Sequence, residues 1–278
     1  MKKIILLVLA TFAIPGLIFA DGFTSISAYA IPVASSAKSP STITGIYTYM
    51  GYDAYSLELE YDKSTSTTSN SGQQNAVIVF TNHATPYAHF RLGLNQIQPD
   101  NGRLASVIML GAMFDQYNYY WMLDTKIGAD FYAGFYNNNG NKITALQLDP
   151  SITHYFGSSI IPGWITVTSK ARIQQLSQDL GHGKILTGAQ FIVKDDLYPF
   201  SISGKMWVGS SQFGVYDDGF AVYNNTDLMG NGLALSCGFS ITPKLNLTVG
   251  YQNHTIRVDG ASADADLAKT MVMVSYSL

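Results

Sequence analysis

The sequence predicts an all-β fold, a single antiparallel β-barrel whose strands cross a membrane. Three observations carry that reading. The first is residues 117–136, which alternate with a period of two. Tyr117, Tyr119, Trp121, Leu123, Ile127, Phe131 and Phe135 fall on one face, and Asn118, Asp124, Lys126, Gly128, Asp130 and Gly134 on the other. A period of two marks a strand with two chemically different faces. The stretch outlasts the roughly 5–6 residues of an average soluble strand and reaches the about 9–11 that a tilted spanning strand needs. Aromatics at both ends of its apolar face are expected of girdles at two bilayer interfaces. The second observation is composition. Only 13% of residues are charged, against about 25% in soluble domains. Aromatics make up 13%, and no apolar run beyond the N-terminus is long enough for a helical span. The third is recurrence, because the alternation returns down a chain of 278 residues with polar turns between.

Taken in order, residues 1–20 read as an export signal: Lys2 and Lys3, an apolar run from Ile4, then Ile18-Phe19-Ala20. Pro15 and Gly16 break that run, which argues against a membrane anchor. Residues 21–40 are Ser/Ala-rich with Pro32 and Pro40 and read as a periplasmic lead-in or a short plug segment. Residues 41–278 form the barrel. Its first strand is placed at 43–61, as one bulged strand or as a hairpin, with Tyr47, Tyr49, Leu57 and Leu59 on one face and Glu58 and Glu60 on the other. Strands follow near 75–82, 86–96 and 103–114, the last apolar on both faces. Then come 117–136, 142–155, 163–176, 184–194, 199–215, 232–241, 245–257 and 270–278. Turn residues separate them, as in Asn137-Asn138-Asn139-Gly140 and Thr242-Pro243-Lys244. The count is twelve, with ten and fourteen as alternatives. Short connections at 83–86, 195–199 and 242–244 face longer loops at 63–74, 216–231 and 258–268. That asymmetry is expected of periplasmic turns and outer loops, and it puts both termini in the periplasm.

The last segment, Thr270 to Leu278, alternates Val272, Val274, Tyr276 and Leu278 with Met271, Met273, Ser275 and Ser277. It resembles the C-terminal strand of bacterial outer-membrane β-barrels, with an apolar last residue and an aromatic two before it. The family's usual terminal Phe is Leu278 here. The resemblance implies an outer-membrane location, contact with membrane lipid, and reading of Thr270 to Leu278 by the outer-membrane assembly machinery.

The polar faces predict the barrel interior. They carry Glu58, Glu60, Asp124, Asp130 and Asp149 against Arg91, Lys126, Lys170, Arg172 and Lys205, five charges of each sign. Two readings follow: a narrow pore for small hydrophilic solutes, or a barrel closed by its own ion pairs. The pore is the favoured one, and the even balance of signs argues against strong ion selectivity. A structural or adhesive barrel is a third reading, and a hydrolase a fourth. For the last the candidates are His154 with Ser151 or Ser158, and His254 near Asp259 and Asp264. Their spacing does not resemble the motifs of outer-membrane proteases or phospholipases. The loop acids Asp217, Asp218, Asp227, Asp259, Asp264 and Asp266 match no Ca²⁺ loop and read as solvated surface charge. Gly181-His182-Gly183 reads as a turn. A net charge of -3 gives no footprint for nucleic acid, and the lone Cys237 excludes an internal disulfide. No cofactor and no metal site is expected, and the sequence leaves the oligomeric state open.

Overall fold

A computed structural model describes residues 22–278 except 67–71, 86–87, 101–104, 119–122, 139, 158–163 and 225. The expected export signal lies outside the described residues. The strands are β1 (Phe23–Ser35), β2 (Ser41–Tyr52), β3 (Tyr55–Ser66), β4 (Gly72–Thr85), β5 (Ala88–Pro99), β6 (Ala105–Asn118), β7 (Leu123–Asn138), β8 (Asn141–Gly157), β9 (Trp164–Leu176), β10 (Ile185–Leu197) and β11 (Phe200–Gly209). They continue with the short β12 (Val215–Tyr216) and β13 (Ala221–Val222), then β14 (Leu228–Thr242), β15 (Leu245–Arg257) and β16 (Ala265–Ser277). The fourteen long strands form one closed antiparallel barrel, each pairing with its chain neighbour, and β1 closes against β16. Closure leaves no strand edge unpaired, as a lipid environment demands.

The count is fourteen rather than the expected twelve, for two reasons. Residues 43–61 are not one strand. Asp53 adopts φ 48°, and with Ala54 it makes a two-residue turn that pairs Tyr47 with Glu60 and Tyr49 with Glu58. Tyr47 and Tyr49 therefore share the inner face with the glutamates, not the outer face with Leu57 and Leu59. The second reason is β1 itself, which occupies most of the stretch expected as a lead-in. Its pairing with β16 skips Ile31 and Pro32, where proline has no N–H to give, while pairing with β2 runs through. The 117–136 stretch also divides. Its first two residues end β6, and its later part is β7, with Tyr117 opposite Asp124.

Alternation sets the two faces. Leu92, Leu110, Phe131, Leu148, Met206, Leu235 and Val274 are exposed on the outside, which gives an apolar belt suited to hydrocarbon. Aromatics collect at the end where β1 begins and β16 ends, where Tyr55, Phe90, Phe114, Phe156, Phe200, Phe239 and Tyr276 are all outward and exposed. Tyr55 stacks on Phe80, and Phe200 packs on Phe239 with ring centroids 5.2 Å apart. At the opposite end Phe135 has the outward aromatic role on β7. The girdle is thus far stronger at one rim than the expected pair of girdles. Leu278 donates its backbone N–H to the Thr24 carbonyl at 2.9 Å, tying the residue after β16 to the start of β1.

The interior is not uniformly polar. Val77, Val79, Ile97, Ala105, Val107, Met109, Tyr132, Tyr136, Ile143, Ala145, Leu176 and Leu186 point inward from β4–β10 and form a buried apolar cluster. They are covered by Phe213, Val215 and Val222, which belong to the segment between β11 and β14. This segment, expected as a surface loop at 216–231, folds into the barrel.

Candidate functional site

The inserted segment starts at Gly209. Its φ is 103°, and a Cβ there would lie 2.3 Å from the Thr187 carbonyl oxygen and 2.5 Å from Gly188 Cα. Only glycine turns the chain inward against β10 at this point. The segment then runs through β12, a 3-10 turn at Asp217–Gly219, and back along β13. Phe213, Asp217 and Asp218 have positive φ. Each such non-glycine conformation costs about 1–3 kcal/mol and must be held by its surroundings.

Those surroundings are side chains of the wall. Gln147 Nε2 donates to the Val215 carbonyl at 2.8 Å, and Val215 N–H donates to Gln147 Oε1 at 3.0 Å. Gln212 N–H donates to Gln174 Oε1 at 3.1 Å, and Tyr136 Oη donates to the Phe213 carbonyl at 3.0 Å. Asn95 Nδ2 reaches the Gly219 carbonyl at 3.2 Å. The wall amides thus take the place of a neighbouring strand for the buried residues 211–216 of the segment. Across the lumen Phe220 meets Tyr47 edge-on at 5.6 Å, and Tyr223 Oη accepts from Lys269 Nζ at 2.6 Å.

The charged residues expected inside are found as follows. Arg91 lies 3.7 Å from Asp130 and also donates to the Asp218 carbonyl at 3.2 Å. Arg172 grips Asp149 through Nε and a terminal nitrogen at 3.3 and 3.2 Å, with its guanidinium 4.0 Å from the centre of the Tyr216 ring. Lys170 pairs with Asp218, and Lys205 pairs with Asp217. Glu58 accepts from Tyr47 Oη at 2.6 Å, and Glu60 accepts from Tyr29 Oη. Lys126 sits 5.3 Å from the centre of the Tyr155 ring. Asp124 is the second residue of β7, and its side chain lies outside the described residues. Gln147 falls on the polar face of its strand beside Asp149, whereas the sequence does not single out Asp62, Lys269 or Gln174. Parity along their strands places them on the same inner face.

Asp217 and Asp218 were read as solvated loop acids. They lie instead within the barrel, with about half of each side-chain surface open to the lumen. Burial works against ionisation of Asp218, but Lys170 and Arg91 outweigh it and hold the carboxyl down to about 2. Burial likewise opposes ionisation of Asp217, and Lys205 outweighs it, keeping that carboxyl below its ordinary value. Asp227 pairs with Lys38 and Asp264 with Arg257, while Asp259 accepts from Thr226 Oγ1 at 3.0 Å.

Beside the inserted segment a cavity of about 620 Å³ remains. Its wall comes from β1–β4, β11 and β14–β16, with Tyr29, Glu60, Asp62, Lys205, Asp217 and Lys269 among its polar lining. On the other side a gap of about 20 Å³ lies between Asp149, Arg172, Trp207 and Tyr216. The segment therefore packs on the β4–β10 side of the lumen, and the cavity lies on the side of β1–β3 and β14–β16.

Among the described residues the hydrolase candidates do not assemble. His154 faces outward and shares a 3.0 Å hydrogen bond with Thr125 Oγ1, while Ser151 points inward toward the Gly128 carbonyl. Ser158 lies outside the described residues. His254 is buried inside the barrel against Trp207 and Tyr223, with Nδ1 3.2 Å from Gln252 Nε2. Asp259 accepts instead from Thr226 and Asp264 from Arg257, so neither acid orients that imidazole.

No protein-family model and no curated protein matches the sequence. Solved structures do match in shape. The NanC porin aligns with a TM-score of 0.51 at 10% identity, covering 91% of this chain and 100% of its own. Acinetobacter baumannii OccAB3 gives 0.47 at 8% identity over 94% and 100% of the two chains. Pseudomonas aeruginosa OccK3 (OpdO) gives 0.45 at 9% over 96% and 98%. With its closed ring of antiparallel strands and its apolar exterior, the chain has the β-barrel fold seen in the NanC porin.

Proposed function

We propose that the barrel is a narrow channel for passive diffusion of small hydrophilic solutes. The observation that carries this is the half-filled lumen, in which a polar-lined cavity of about 620 Å³ lies alongside the docked segment. Barrels of about 8 strands are filled by their own side chains, and those of 16 or more leave a wide aqueous channel. Fourteen strands with one inserted segment give an intermediate bore. The interior residues Glu58, Glu60, Arg91, Asp124, Lys126, Asp130, Asp149, Lys170, Arg172 and Lys205 are proposed as the lining of the lumen. Residues 1–20 are proposed as a removed export signal, and Thr270 to Leu278 as the segment read during assembly.

A closed structural or adhesive barrel is the second reading, favoured by the apolar cluster that cements the segment to β4–β10. Conductance of the refolded protein in planar bilayers separates the two. Small, discrete steps support the channel, and silence at every voltage supports the closed barrel.

A further inference from the structure

We infer that the open half of the lumen passes cations in preference to anions, an inference that rests on the channel reading above. The strands alone carry a balanced set of charges, but the inserted segment changes the balance. Its Asp217 and Asp218 take up Lys205 and Lys170, and Asp227 at its far end takes up Lys38. The wall acids Asp130 and Asp149 take up Arg91 and Arg172. The basic side of the barrel is thereby neutralised.

Across the cavity Glu58, Glu60 and Asp62 occupy alternate positions of β3, on one face and roughly 7 Å apart in sequence along the strand. Among the described residues none of the three has a Lys or Arg within ion-pair distance. Their partners are neutral donors: Tyr47 to Glu58, Tyr29 to Glu60, and Asn75 Nδ2 at 3.1 Å from both oxygens of Asp62. A neutral donor orients a carboxylate without cancelling its charge. Lys269 is the cavity's counterweight. Its ammonium lies 4.8 Å from the centre of the Tyr223 ring and donates to that tyrosine's hydroxyl, not to an acid. The cavity lining thus holds Glu60, Asp62, Asp217 and Asp227 against Lys38, Lys205 and Lys269, one acid in excess, with Glu58 adjoining on β3. A cleft of one sign between low-dielectric walls enriches the opposite ion. The permeant class is small monovalent cations, including organic ammonium compounds.

The test is the reversal potential of the refolded full-length protein in a planar bilayer across a KCl gradient at low ionic strength and pH 8. The wild type is expected to prefer K⁺ over Cl⁻. Glu60→Gln with Asp62→Asn should lower that preference roughly twofold or more, because removing unit charges matters most where salt screens least. Lys269→Gln should raise it, and this variant carries the test should the double variant fail to assemble. A conducting wild type that prefers Cl⁻, or a preference unmoved by these substitutions, overturns the inference and leaves the channel standing. A silent wild type overturns the channel reading and this inference with it.

Discussion

The side-chain amide of Gln147 and the backbone of Val215 form a closed ring of two hydrogen bonds, 2.8 and 3.0 Å long, inside the barrel. A wall glutamine here does the work of a neighbouring strand. Gln147 also donates to Asp149 at 2.9 Å, which ties the docked segment to the Asp149–Arg172 pair. Replacing Gln147 by Leu strips both partners from Val215. An orphaned buried polar group costs about 1–3 kcal/mol. The variant should show faster hydrogen exchange over 212–222 and noisier, larger conductance steps. Unchanged exchange would mean that the amide does not anchor the segment.

The entry of the segment depends on Gly209. Gly209→Ala places a methyl against the Thr187 carbonyl in a left-handed conformation. Such a substitution destabilises by more than the about 0.4–1 kcal/mol that a compatible Gly→Ala change adds. Thermal unfolding in detergent should shift downward. An unshifted midpoint would show that the turn relaxes freely.

The outer face is tested by charge. Leu235 is exposed near the middle of β14, on the face it shares with Leu233 and Phe239. Leu235→Arg should cost about 2–4 kcal/mol of folding free energy in lipid vesicles, the range for a cation at the bilayer midplane. A loss below about 0.5 kcal/mol, typical of neutral surface changes, would place that face in water.

The ion pairs that hold the tip of the segment predict a pH response. Asp218 is depressed to about 2 in the folded barrel, against about 3.9 for a free aspartate. Its contribution is therefore fully present above about pH 4 and lost as pH falls through about 2. Proteolysis of the segment should stay slow from pH 8 to pH 4 and accelerate only below about pH 3. In Lys170→Gln the onset should move up toward the ordinary aspartate range. A wild-type transition near pH 6 would contradict the pairing.

The barrel was legible because lipid outside and a different chemistry inside impose alternation on nearly every strand. The strand count was harder to read. Tyr47 and Leu57 share parity, so a hairpin looks like one long strand until the Asp53 turn is seen to reverse the phase. β1 was hidden by its Ser, Ala and Pro content, since small residues give no contrast between faces. The inward loop left two signals in the sequence. Residues 103–114 are apolar on both faces, which a water-filled lumen does not explain; Ala105, Val107 and Met109 are inward and pack in the cluster that covers Phe213 and Val215. The loop itself brackets Asp217 and Asp218 with Phe213, Val215, Phe220 and Val222, too apolar for a solvated surface. What could not be read was the pairing of loop acids with wall lysines, because it depends on where the loop goes and not on spacing.

The most direct measurement is single-channel conductance of the wild type beside a chain in which residues 212–226 are replaced by a short Gly-Ser link. Small wild-type steps that grow severalfold on shortening are the predicted result. Equal conductance in the two chains, or silence in both, would contradict a lumen half filled by this segment.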